Sequence, residues 1–266
     1  MGLNERERAI VYFLNKCSEK YNEPDIKKMH YTIKDRGNKN GTTLHAMCYD
    51  KRNRVTEKYC GVDWVFYHWP SANIKSFEAT KEEIIAASNI PPVINKVGWY
   101  GNVNSPKPDV PERKTRKRLK AIGDRHPNLF EIVDVRAAKG TMTVDERSNN
   151  YKSMVELMEY KYLIDIGGNG YSGRLKFLLY SKRPTIIIDR NYVEYWHESL
   201  EPWVHYIPVK MDLSDLMEKV NWMENNYEKS LEIAENAYKF AIENFTEEKL
   251  LERMYYVYNN IKDSNI

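Results

Sequence analysis

The sequence is poor in thiols: three cysteines, Cys17, Cys48 and Cys60, with no CxxC spacing. An odd count without paired spacing argues against a disulfide framework and against a cysteine zinc site. The six histidines are also placed without metal-ligand spacing. Long apolar runs are missing. The opening stretch, MGLNERERAIVYFLNKCSEK, breaks its apolar residues with charges at helical spacing. It reads as an amphipathic helix and not as a leader or a membrane span, so a cytoplasmic location is the expectation. Charge of one sign is scarce too. A net charge of +3 gives no reason to expect a nucleic-acid or anionic-membrane partner. Internal repeats and low-complexity tracts are absent.

What remains is a globular composition. Apolar residues make up 42% and charged residues 30% of 266 positions, enough for one large domain or two small ones. The 20 tyrosines and 6 tryptophans supply flat amphipathic surfaces suited to stacking on sugars or bases, although core filling is the commoner use of any one of them.

Periodicity assigns the elements. The first helix carries Ile10, Phe13, Leu14 and Cys17 on one stripe. A short strand is expected at Met29 to Ile33, a turn at Asn38 to Gly41, a β-like aromatic segment at Asp63 to His68, and a helix at Lys81 to Ala87 ended by Pro91 and Pro92. From about residue 94 strands and helices alternate. The strands are Val97–Tyr100, Phe130–Val135, Tyr162–Ile166, Thr185–Ile188 and Tyr206–Val209. The helices carry Arg116, Leu119 and Ile122; Met154 to Met158; Ser172 to Ser181; Leu213 to Met223; Leu231 to Phe245; and Lys249 to Asn260. Such alternation implies a parallel sheet covered on both faces.

The most informative motif runs from Tyr162 to Arg174, YLIDIGGNGYSGR. A strand enters a glycine-rich turn that opens a helix. Glycine permits positive φ or close approach of a ligand, and a helix start offers N–H donors and partial positive charge to a phosphate. Arg174 adds a guanidinium suited to bidentate binding. A tight turn without a ligand is the bland alternative. Asp165-Ile-Gly-Gly-Asn-Gly170 also looks like the first motif of S-adenosylmethionine-dependent methyltransferases, with Asp189 placed to hold a ribose. Two β–α steps before the loop, and an arginine aimed at phosphate, weigh against that reading.

Several blocks in order resemble glycosyltransferase family 90, which includes protein O-glucosyl/xylosyltransferases and capsule- or lipopolysaccharide-modifying enzymes. The strongest is Leu200-Glu-Pro-Trp-Val-His-Tyr-Ile-Pro-Val-Lys-Met-Asp-Leu-Ser214. It is joined by Lys161-Tyr-Leu, the glycine loop with Ser172 and Arg174, and Ile233-Ala-Glu-Asn-Ala-Tyr-Lys-Phe240. Upstream, Val97-Gly-Trp-Tyr-Gly-Asn102, Thr115-Arg-Lys-Arg-Leu119 with His126-Pro-Asn-Leu129, and Trp64-Val-Phe-Tyr-His-Trp69 look like further family blocks. Pro24 to Asp35 resembles the catalytic block.

The resemblance implies an α/β, GT-B-like two-lobed fold: residues 1–93 as the acceptor and catalytic-base lobe, 94–245 as a Rossmann-like lobe binding a UDP-sugar, and 246–266 packing back on the first lobe. It implies inverting, metal-independent transfer of xylose or glucose from UDP-xylose or UDP-glucose to a glycan or protein hydroxyl. No cofactor is expected. The sequence has no Asp-x-Asp, the pair that metal-dependent sugar transferases use to hold a cation against a diphosphate. Asp35 is the candidate general base. Here it is followed by Arg36 and Gly37, where the family often has an aromatic residue and proline. Arg174 and Arg116 are the candidate diphosphate ligands, with Gly168, Gly170 and Ser172 adding backbone and hydroxyl contacts and Gly101, in the Val97–Asn102 block, a further candidate. Glu156 is a candidate near the nucleoside, and Asp189, ending a core strand, is a candidate facing the expected cleft. Tyr100 stands where the family commonly has arginine. Absence of paired cysteines favours a polysaccharide, lipid-linked or viral glycan acceptor. A non-catalytic carbohydrate-binding protein is a further alternative.

Overall fold

The computed structural model describes residues 3–36, 44–104, 110–135 and 151–264. In chain order it contains α1 (Glu5–Tyr21), β1 (Tyr49–Asp50), α2 (Phe77–Ser88), β2 (Ile94–Gly101), α3 (Pro111–Arg125), β3 (Phe130–Asp134), β4 (Tyr160–Asp165), α4 (Leu175–Leu178), β5 (Thr185–Ile188), β6 (Tyr192–Val193), β7 (Ile207–Val209), α5 (Leu216–Asn225), α6 (Tyr227–Asn244) and α7 (Glu247–Asp263). The chain divides into two compact units. One comprises residues 1–79, 191–199 and 241–266; the other comprises 80–190 and 200–240. The sequence reading placed its boundary at 93/94. The structural division falls at 79/80 instead, inside α2.

In the first unit, α1 starts at a capping box. The Asn4 side chain accepts from Glu7 N–H, and Glu7 in turn accepts from Asn4 N–H. Its apolar stripe, Ile10, Phe13, Leu14 and Cys17, is buried. α7 lies against α1, with the Cys17 thiol donating to Leu251 O at 3.7 Å and Tyr21 stacked on Tyr255 at 3.9 Å. β1 pairs antiparallel with β6. All three cysteines are buried, and none is in a disulfide.

The second unit is a mixed α/β, Rossmann-like domain. Its five strands are all parallel, in the order β3-β2-β4-β5-β7. β5 is buried at every residue, as expected of a strand covered on both faces. Val97, Ile164, Ile186, Ile188 and Ile207 of the strands pack with Leu119 of α3, Leu216, Val220 and Met223 of α5, and Ile233 of α6. Burying each such aliphatic side chain contributes about 1.5–3 kcal/mol.

Four expectations are corrected. Met29 to Ile33 makes only a single bridge, Tyr31 to His45, and no strand. Trp64–Phe66 forms a 3-10 turn closed by Tyr67 N–H donating to Trp64 O at 3.1 Å; tight packing of the aromatic rings overrides their strand preference. Met154 to Met158 yields only a short 3-10 turn over Glu156–Glu159, because β4 begins at the next residue. The helix expected from Ser172 to Ser181 is one α-helical turn, Leu175–Leu178, followed by a 3-10 turn to Ser181. Gly170 and Gly173 disfavour helix before it, and Lys182 in the left-handed region ends it. The turn expected at Asn38 to Gly41 lies outside the described residues.

Candidate functional site

Strand order points to where a ligand would sit in the second unit. Counted within this sheet, the order is 2-1-3-4-5, and it reverses between β2 and β4. In open parallel sheets ligands bind beyond the carboxyl ends of the strands at that reversal. Gly101 ends β2, and the glycine loop follows β4, so both reach this point.

Arg116, on α3, ties the two together. Its Nε donates to Gly167 O at 3.0 Å and its Nη1 to Asn102 O at 3.0 Å. Burial, and then the charge of Arg174, lower its pKa to about 10. Arg174 sits at the start of α4 and is partly buried. Burial lowers its pKa too, opposed by the Asp165 carboxylate. Among the described residues the Arg174 guanidinium donates no hydrogen bond, and its ring contact is to Trp99, 5.8 Å from the centroid. A half-buried cation with unfilled donors beside a second cation has the chemistry to receive an anion.

The loop is braced from below. The Ser172 hydroxyl donates to Asp165 Oδ1 at 2.7 Å. Asp165 Oδ2 pairs with Arg190 Nη1 at 2.7 Å, and both side chains are almost wholly buried. Arg190 also donates to Asp165 O and Ile188 O, each at 3.2 Å. The Ser172 proton is therefore committed to Asp165, and this side chain braces the loop instead of donating to a ligand as expected. Gly168 N–H is likewise committed, to Tyr171 O at 3.2 Å, whereas Gly170 N–H has no partner among the described residues. A Cβ on Gly168 would sit 3.3 Å from Tyr171 O, and one on Gly167 3.1 Å from Glu112 Cγ. Neither glycine has positive φ. A side chain at either position would be crowded, although the backbone conformation does not call for glycine. With only one α-helical turn after the loop, most of the positive potential comes from the arginines.

The other candidates fall as follows. A Cβ on Gly101 would sit 2.5 Å from the Trp99 indole, so the glycine there makes room for that ring. Asp189 lies just beyond β5 at the same sheet edge and is exposed. It accepts from Arg190 N–H at 2.9 Å and contributes to raising the Tyr206 pKa, behind burial. Glu156 is not brought to the loop. It precedes the amino end of β4, a strand of roughly 16 Å whose far end carries the glycines. There it closes a capping pair with Ser153, accepting from Ser153 N–H at 2.6 Å. Tyr100 donates to Glu131 and shares a 2.9 Å hydrogen bond with Tyr160. Trp203, at φ 66°, packs edge-on against Trp222, and His205 Nδ1 accepts from Glu201 N–H at 2.9 Å.

In the first unit, Asp35 is about one-third exposed and held by Arg6, Nη1 to Oδ1 at 2.6 Å. Arg6 also donates to Ile33 O at 2.8 Å and lies over the Trp64 ring at 4.8 Å. Trp69 meets Trp64 edge-on at 5.7 Å. The candidate base and the aromatic block thus share one guanidinium. Tyr67 stacks on Tyr12 at 4.4 Å.

Sequence reasoning missed three residues here: Arg190, Asp165 as its partner, and Trp99. An arginine after an apolar strand, Thr185 to Asp189, and a carboxylate closing β4 were the available signals.

A Rossmann-like parallel sheet with two arginines at its switch point is an arrangement suited to a phosphate or nucleotide ligand. Sequence comparison goes further. The profile of glycosyl transferase family 90 matches residues 22–261, and the chain belongs to that family. It is 38% identical over 89 residues to protein O-glucosyltransferase 2 of Danio rerio, covering 34% of this chain and 18% of that protein. It is 35% identical over 86 residues to protein O-glucosyltransferase 3 of Homo sapiens, covering 32% and 17%. A match of 27% over 149 residues to protein 035R of Invertebrate iridescent virus 3 covers 55% and 13%. Each match spans less than a fifth of the relative's length. No helix among the described residues is long and apolar enough to cross a membrane.

Proposed function

We propose that this glycosyltransferase moves xylose or glucose from a UDP-sugar to a hydroxyl of a glycan or protein acceptor, with inversion and without a metal. The carrying observation is Arg174: partly buried, without a hydrogen bond among the described residues, beside Arg116 at the switch point of a parallel sheet. The second unit takes the donor and the first supplies the base, the division of labour of a GT-B-like fold.

Arg174 and Arg116 Nη2 receive the diphosphate, with Gly170 N–H as a further donor. Asp189, exposed at the carboxyl edge, is the acidic group for the nucleoside. The acceptor oxygen attacks the anomeric carbon while the bond to the diphosphate oxygen breaks. The departing electron pair goes to UDP and the acceptor proton to the Asp35 carboxylate. Guanidiniums already in place where negative charge develops on UDP lower the barrier, about 3–4 kcal/mol for one such donor. A positioned carboxylate base adds about 10²–10⁴-fold. The fixed cations take the part a divalent ion plays in Asp-x-Asp enzymes.

The strand order does not favour the methyltransferase alternative, since β2 and β3 precede the strand that carries the glycine loop. Asp35→Asn is the discriminating variant. Transfer should vanish while UDP binds with unchanged affinity; full activity in the variant removes Asp35 from the mechanism.

A further inference from the structure

Both guanidiniums converge on one ring. Arg116 Cζ lies 5.5 Å from the Trp99 centroid and Arg174 Cζ 5.8 Å. Trp99 is only 2% exposed. Its indole runs over the carboxyl end of β2 into the space that a side chain at Gly101 would fill.

Two cations held this close repel each other, and the Arg174 charge is among the causes that lower the Arg116 pKa. Asp165, the carboxylate that acts electrostatically on both guanidiniums, is already engaged by Arg190 and Ser172. Hydrogen bonds fix Arg116 to the backbone, whereas Arg174 has none among the described residues. An indole face offers negative potential that offsets repulsion between cations placed against it.

We propose that Trp99 is a positioning residue for the diphosphate, holding the Arg116 and Arg174 guanidiniums together before the ligand arrives. This rests on the diphosphate reading of the site. Bringing the unfixed Arg174 guanidinium up to Arg116 only on binding would cost side-chain entropy and mutual repulsion at that moment; the ring removes much of both. Gly101 belongs to the same device, because any side chain there displaces the indole.

The test is calorimetric titration of the full chain with UDP and UMP, in the native protein, Trp99→Leu, Trp99→Phe, Gly101→Ala, Arg174→Ala and the Trp99→Leu/Arg174→Ala double variant. Trp99→Leu should weaken UDP binding about tenfold. Trp99→Phe, which keeps a smaller π-face, should weaken it about two- to threefold. The preference for UDP over UMP should shrink in Trp99→Leu. In the Arg174→Ala background the leucine substitution should cost less than about twofold, since the arginine through which the ring acts is gone. A general packing role predicts the same tenfold loss in both backgrounds, and that result overturns the inference, as does native-like affinity in Trp99→Leu. Should the leucine variant fail to fold, Trp99→Phe and Gly101→Ala decide: weakened UDP binding in both supports the role, and native affinity in both refutes it. Absence of UDP binding by the native protein refutes the diphosphate reading and this inference together. Binding lost in Arg174→Ala but kept in Trp99→Leu refutes this inference alone.

Discussion

Arg174→Ala removes a guanidinium that donates no hydrogen bond to any described residue, so its effect on binding can be separated from its effect on folding. On the folding side, the variant loses one cation–π contact with Trp99, worth about 0.5–1 kcal/mol, and is relieved of a partly buried charge. These oppose each other, so the urea midpoint should shift by less than the equivalent of about 1 kcal/mol. On the binding side, the variant loses charge-assisted hydrogen bonds to a diphosphate oxygen, worth about 1.5–3 kcal/mol. That corresponds to a Kd for UDP weakened roughly 10- to 150-fold. Arg174→Lys should fall between, because an ammonium keeps the charge and loses the bidentate fork. Isothermal titration with UDP gives the constants and urea unfolding gives the stabilities. An unchanged Kd refutes the assignment of Arg174 to the diphosphate. A large stability loss with intact binding would make the residue structural.

Arg116→Ala should behave differently: the Gly167 and Asn102 carbonyls lose their donor, so stability falls by about 1–3 kcal/mol together with UDP affinity, measured by the same pair of assays. His45 should make the first unit acid-sensitive. It is wholly buried, and burial lowers its pKa from 6.5 to about 4. The unfolded chain takes a proton there near pH 6.5 that the folded protein refuses until about pH 4, so stability falls as pH drops through that window. The loss from this one group between pH 7 and pH 5 is about 2 kcal/mol. His45→Leu should flatten that part of the urea-midpoint profile, and an unchanged slope refutes the assignment.

The second unit was largely legible in the sequence because each of its strands is marked by an apolar run. Thr185-Ile-Ile-Ile188 falls where the sequence places it, and Tyr162 to Ile166 differs from β4 by a residue or two at its ends. The first unit was harder to read. Its shape comes from turns and aromatic packing, as at Trp64–Phe66, where side-chain contacts outweigh strand preference. The loop, Arg116, Arg174, Gly101 and Asp189 lie at the carboxyl end of one sheet, a placement that motif, family register and strand position had implied. Two roles were not legible. The Ser172 proton is taken by Asp165, and Gly101 makes room for an indole; both depend on neighbours distant in sequence or on how a ring is turned. Glu156 followed from block order alone, which carries no information about which end of a strand a residue reaches.

The most direct test is a screen of UDP-sugars for slow hydrolysis in EDTA, with S-adenosylmethionine titrated in parallel as the competing ligand. We expect UDP to be released from UDP-glucose or UDP-xylose in the chelator, and no binding of S-adenosylmethionine. Binding of S-adenosylmethionine with no turnover of any UDP-sugar would contradict the proposed function.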